Sequence, residues 1–180
     1  SGFAATAFAQ TTNVEVTAIN AAAAAITADA SKTAGSTLVL NLRDAADNGA
    51  KLTSTISKVD GKTVSLAKTA DAADAANDDG VILNLTDSVD SADDTINVTL
   101  NGVGTATSAN GGYDTLGVAA YETVNITANK SAAAAAPNEI INLVVGASTS
   151  SINIDGTGNF TTALGTGAKV TSVDASGLAG

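Results

Sequence analysis

The chain has 180 residues and carries 18 carboxylates against 8 basic residues, a net charge of −10. It has no His, Cys, Met or Trp, a single Pro, two Tyr and three Phe. This excludes a Ser-His-Asp triad, a Cys nucleophile, any disulfide and an ordinary zinc, copper or haem site, and the acidic balance repels nucleic acid and anionic lipid.

In chain order, the opening Phe3 to Gln10 resembles the tail of a signal peptide, with Ala7 and Ala9 in a small-x-small pattern but no basic region before it. The chain reads better as one piece of a longer polypeptide. Asn13 to Ile19 alternates and predicts a strand. The Ala run 21–25 suits either a helical turn or a small-residue rung of a β stack, and the rung is the favoured reading. Ser36 to Leu42 and Leu52 to Val59 are expected strands, and Asp60-Gly61 then leads into Lys62 to Ala67. Asp-Gly between alternating runs is the signal of a type I′ turn, so a β-hairpin is expected over Ile56 to Leu66. Its Lys residues, Lys51, Lys58, Lys62 and Lys68, are expected on a solvent-facing or edge side.

Beyond an Asp/Ala/Asn loop at 69–80, strands are expected at 81–86 and 95–100, joined by the acidic segment Asp87 to Asp94. Further strands are expected at Asp114 to Val118 and Glu122 to Thr127. A second Ala run, 132–136, stops at Pro137. Short strands with Gly-rich turns, such as Asp155-Gly156-Thr157-Gly158-Asn159, fill the rest. No stretch approaches the roughly 20 apolar residues that span a bilayer.

One phrase recurs throughout: aliphatic, Asn, aliphatic, then often Thr or Asp. It stands at Leu40-Asn41-Leu42, Leu83-Asn84-Leu85-Thr86, Ile96-Asn97-Val98-Thr99, Val124-Asn125-Ile126-Thr127, Ile141-Asn142-Leu143 and Ile152-Asn153-Ile154-Asp155. The same half-buried strand written many times suggests stacked units that bury their faces on one another. Each Asn either joins a hydrogen-bonded ladder inside a bend of the stack or simply occupies the outward position between two inward aliphatics.

Fifteen of the acids are Asp and three are Glu. Asp clustered in loops with Asn and Gly is what calcium, which takes six to eight oxygens, selects; the alternative is plain surface solvation. The best calcium candidates are Asp87, Asp90, Asp93 and Asp94 in the densest acidic loop, and Asp155, Asn159 and Asp174 beside glycines.

Through Asp93-Asp94-Thr95-Ile96-Asn97-Val98-Thr99-Leu100 and Tyr121-Glu122-Thr123-Val124-Asn125-Ile126-Thr127, residues 80–180 resemble calcium-dependent bacterial surface-layer (S-layer) and adhesin proteins of Gram-negative bacteria related to the RTX group. Residues 1–80 share only their composition. The resemblance implies an extracellular, calcium-bound β fold that assembles into a lattice or filament. The chain departs from it in lacking the tandem Gly-Gly-x-Gly-x-Asp nonapeptide, of which Asp155 to Asn159 is a half-likeness.

The expectation is therefore an all-β chain: a hairpin-rich segment over 1–80, then an irregular β-solenoid, of the parallel β-helix kind, over 81–180. The expected role is structural, in a self-associating assembly at the cell surface, without catalysis, nucleic acid or a membrane span. The alternative is an adhesin or phage-fibre module that binds cell-surface polysaccharide, for which Tyr113 and Tyr121 are the plausible stacking aromatics.

Overall fold

The computed structural model describes residues 16–22, 25–43, 51–67, 81–87, 91–103, 113–130, 138–165 and 169–179. They form thirteen strands and one short 3-10 turn, Ala30–Lys32. In chain order the strands are β1 (Val16–Ala22), β2 (Thr27–Asp29), β3 (Thr37–Arg43), β4 (Leu52–Ser57), β5 (Thr63–Ala67), β6 (Val81–Leu85), β7 (Thr95–Asn101), β8 (Tyr113–Val118), β9 (Thr123–Asn129), β10 (Asn138–Val145), β11 (Ser151–Gly156), β12 (Phe160–Leu164) and β13 (Ser172–Leu178). Among the described residues no helix is long and apolar enough to cross a membrane.

The strands deal themselves alternately into two sheets. One holds β1-β3-β5-β7-β9-β11-β13 and the other β12-β10-β8-β6-β4-β2, in those spatial orders. Every pairing is parallel. The chain thus places a strand in one sheet, crosses to the other, and returns one position further along, which gives an all-β, solenoid-like stack.

The alternation noted in the sequence drives this arrangement. In β9 the pattern is strictly half-buried then buried, with Val124, Ile126 and Ala128 inward. Parallel register lines such residues into columns: Val64, Val98 and Ile126 face inward on successive strands, as do Leu66, Leu100 and Ala128. From the opposite sheet Leu83, Leu116 and Leu143 meet them. Each fully buried aliphatic of this kind stabilises by about 1.5–3 kcal/mol relative to exposure, and stacking is what removes both faces of each rung from water. The core needs no large aromatics because the layer between two sheets is only about 10 Å thick.

The expected hairpin over Ile56 to Leu66 does not form. β4 pairs with β2 and β6 in one sheet, whereas β5 pairs with β3 and β7 in the other. Asp60-Gly61 is a turn, closed by Lys62 N donating to Val59 O at 3.0 Å. However, Gly61 alone of the two has positive φ (68°), so the turn is not type I′. Lys58 also adopts positive φ (56°), and Val59 is fully buried. The extra residues make a corner wide enough to span the core and deliver β5 to the facing sheet. The hairpin-rich character expected for 1–80 is replaced by the parallel pattern found throughout the described chain.

Ala21 and Ala22 lie in β1, in line with the rung reading, and Ala25 lies outside any strand. The second Ala run and Pro137 lie outside the described residues. Of the Lys residues expected on a free side, Lys51 instead pairs with the buried Asp114 at 2.6 Å. Lys58 meets Asp29 at 2.8 Å, and Lys62 Nζ ties the corner to Thr33 O (3.0 Å) and Gly35 O (2.6 Å). Lys68 is outside the described residues.

Candidate functional site

The candidate site lies where the chain passes from the six-stranded sheet back to the seven-stranded one. Among such corners, the described residues of 58–62, 86–87 with 91–94, 119–122 and 146–150 stack on one another. The first two are stitched by Val59 N donating to Thr86 O (3.2 Å) and Thr86 N to Ile56 O (3.0 Å). Further along, one carbonyl per corner takes two N–H groups from the next. Asp94 O accepts from Glu122 N and Thr123 N at 3.0 and 3.1 Å, and Glu122 O accepts from Ser150 N and Ser151 N at 2.9 and 3.2 Å. The Glu122 carboxylate reaches back to Asp94 N at 2.8 Å. These backbone donors are thereby satisfied, as buried or strand-terminal donors must be.

Asp60, Asp87 and Asp94 lie on the first two of these corners. Asp94 is gripped by Ser91, whose N–H donates to Oδ2 at 2.7 Å and whose hydroxyl donates to Oδ1 at 2.6 Å. The Ser91 hydroxyl and then the Ser91 N–H hold the Asp94 carboxyl below its ordinary value, and Asp87, within hydrogen-bonding reach of it, adds to the effect. Asp60, Asp87 and Asp94 all project their field onto the Tyr121 phenol. That phenol is 1% exposed and its hydroxyl has no hydrogen-bond partner. Burial, and then Asp60, Asp87 and Asp94, push its ionisation well above the ordinary value, so it stays a neutral phenol. Beside it Thr149, also buried, donates its hydroxyl to Tyr121 O at 2.5 Å and accepts from Gly146 N at 3.1 Å.

Of the calcium candidates read from sequence, the structure brings Asp87 and Asp94 together and leaves Asp93 exposed on the same corner. Asp90 lies outside the described residues. Asp155 and Asn159 are exposed near the far end of β11, away from this corner. Asp174 lies in β13, in register with Asn153, and bonds from the Ser176 backbone and side chain hold its carboxyl low. Among the described residues no three Asp or Glu side chains form a ready ligand set. The sequence reading passed over two members of the corner. Asp60 looked like turn punctuation, and Tyr121 looked like an exposed aromatic.

Both tyrosines in fact point into the core. Tyr113 is 1% exposed. Its hydroxyl donates to Leu40 O at 3.1 Å and accepts from Leu42 N at 3.3 Å, across the core from β8 to β3, at the point where the β3–β5 register ends at Leu40–Leu66. Neither ring is free to stack on a sugar, because in a chain so short of aromatics these are the largest side chains available to fill the interior.

The outer face of the seven-stranded sheet carries the repeated Asn. Asn125 Nδ2 donates to Asn97 Oδ1 at 2.9 Å, and Asn153 Nδ2 donates to Asn125 Oδ1 at 2.8 Å. A parallel column runs from Asn129 to Asn101 (3.1 Å) and from Asn101 to the Ser65 hydroxyl (2.8 Å). The ladder therefore exists, but on the outward face of flat strands instead of inside a bend. On the other sheet Asn84 faces Gly117, and a Cβ there would collide with the Asn84 amide. Beside them is an open groove of about 430 Å³, reaching Thr86 and Val144.

Comparisons with protein-family models, with curated proteins and with solved structures find no match to this chain.

Proposed function

We propose that this chain is a structural module of an extracellular surface assembly, a lattice or filament of the S-layer type, rigidified by calcium at its acidic loops. The observation that carries the reading is the regular stack of parallel strands in two sheets, which among the described residues ends in a strand edge. Among the described residues β13 pairs only with β11 and β1 only with β3. Six of the seven residues of β13 are exposed, Val173 at 57%. A parallel edge with unpaired N–H and C=O groups is a template for another strand, and a rigid stack gives such contacts a fixed direction. The sequence's lack of His and Cys and the absorption of both tyrosines into the core favour a scaffold over a catalyst or a sugar-stacking module.

Self-association tests this directly. Negative-stain electron microscopy and light scattering at high protein concentration with calcium are expected to show ordered sheets or filaments; monomers alone under all such conditions would sink the reading. Calcium is also expected to raise the thermal midpoint at fixed ionic strength. An ion at 100 times its dissociation constant adds about 2.7 kcal/mol when only the folded state binds it.

A further inference from the structure

The outward face of the seven-stranded sheet is ordered beyond its Asn ladder. β7 presents Thr95, Asn97 and Thr99 outward, and β9 presents Thr123, Asn125 and Thr127 at the partnered positions. β11 continues two of these rows with Ser151 and Asn153. Side chains of one chemistry therefore repeat in two directions, about 4.8 Å apart from strand to strand and about 6.7 Å apart along each strand. Amide bonds of 2.9 and 2.8 Å hold the middle row in one orientation. Asn125 spends one N–H and one lone pair in that row and keeps a second donor and a second acceptor for the outside. The face is also uncharged. In a chain of net charge −10, none of the outward residues of β5, β7 and β9 is ionisable; Asp60, Lys62, Asp94 and Glu122 sit on the corners. Solvation alone would be served as well by Lys and Asp in alternate strands, which pair across a sheet.

A regular, uncharged grid of hydroxyls and amides is complementary to a partner that is itself an uncharged, periodic, hydrogen-bonding lattice. Ice is such a solid. On its prism faces the oxygens repeat at a short and a long interval, each within about a tenth of the two spacings of this grid. We propose that the outward face of β7, β9 and β11 binds the surface of ice, its hydroxyls and amides standing near oxygen positions of the lattice. The ladder and the stiff, β-branched Thr side chains order the face beforehand, so little conformational entropy is lost on contact. Protein adsorbed in this way forces the ice front to bulge between molecules, which lowers the temperature of growth without lowering that of melting. This activity goes beyond the structural role above and depends on neither calcium nor assembly.

Single ice crystals supply the test. The wild-type chain is expected to shape them into facets, to hold them ungrown through a temperature gap below their melting point, and to be enriched in ice grown slowly from dilute solution. Thr127→Tyr sets a bulky ring in the middle of the grid and is expected to abolish all three effects. Thr53→Tyr makes the same change at an exposed outward position of β4, on the other sheet, and is expected to preserve them. Thr95→Lys puts a charge at an exposed position of the grid outside the ladder and is also expected to abolish the gap. It carries the test should far-UV circular dichroism show that Thr127→Tyr does not fold. The proposal is overturned by a wild-type chain with no gap and no enrichment, by a gap that survives in folded Thr127→Tyr or Thr95→Lys, or by one that Thr53→Tyr abolishes as well. Were the face instead to pair with a second copy, light scattering would show a concentration-dependent mass that Thr127→Tyr removes, with no temperature gap. That result overturns ice binding and leaves the proposed assembly standing.

Discussion

At the scale of single residues, the molecule is held by a few polar groups that each do a job the aliphatic columns cannot. Tyr113 is the clearest. Its hydroxyl serves Leu40 O and Leu42 N, so Tyr113→Phe leaves two backbone groups short of a partner and is expected to cost about 1–3 kcal/mol, read as a lower midpoint in chemical denaturation. An unchanged midpoint would mean that water replaces the bridge. Tyr121→Phe, by contrast, removes a hydroxyl with no protein partner and is expected to leave the calcium-free protein at least as stable. Asp29 is a surface case. Lys58 and Ser31 hold its carboxyl at about 2, below the ordinary 3.8. A depressed value means that the native state favours the charged form, so this contribution is complete above about pH 4 and fades as pH falls toward 2. The difference in thermal midpoint between the wild type and Asp29→Asn is expected to shrink over that window. A difference that stayed constant down to pH 2 would show that the pair contributes nothing through ionisation.

At the scale of elements, the lesson lies in what alternation encodes. Val64 and Leu66, Ile96 and Val98, Val124 and Ile126 all face inward as their period-two spacing dictates, so strand positions and facing were legible in the sequence. Partners were not. A parallel and an antiparallel neighbour demand the same alternation, and Asp60-Gly61 signals a tight turn without saying that the next strand belongs to another sheet. The extra cue was Lys58-Val59 before it, a stretch too long for a two-residue hairpin loop. The acidic corner was half legible. Asp87 and Asp94 stood out by density, but Asp60 and Tyr121 belong to neighbouring corners that stack only once the fold is formed. For the repeated Asn, the outward position and the ladder turned out to be compatible, since adjacent parallel strands bring equivalent outward side chains together. Asn125 both donates and accepts within its column. Asn125→Ala is therefore expected to cost up to about 1 kcal/mol, the scale of a cross-strand pair, without altering the circular dichroism spectrum. A loss several times larger would show that the column steers register as well as adding to stability. Gly156 marks the opposite limit. Its φ of 117° and the Ala128 carbonyl against its Cα leave no room for a Cβ, so Gly156→Ala is expected to loosen the β9–β11–β13 end of the sheet.

At the scale of the whole molecule, stability is spread along the stack, each turn leaning mainly on its neighbours. The expected consequence is uneven protection from amide hydrogen exchange. β7 and β9, flanked on both sides, should exchange slowest, and β13, exposed along its length, fastest. Uniform protection would show that the stack unfolds as one cooperative unit.

The spacing of the Asn ladder has a consequence of another kind. Asn97, Asn125 and Asn153 recur at intervals of 28 residues, and each interval is one complete circuit through both sheets. Removing residues 95–122 would set β9 on β5 in the alignment that β7 now holds, with Asn125 opposite Thr63. Duplicating the same block would add a turn and extend the Asn column by one. In genetic terms, the length of this molecule is a copy number: it can be edited by whole circuits while the lateral chemistry of its faces stays the same.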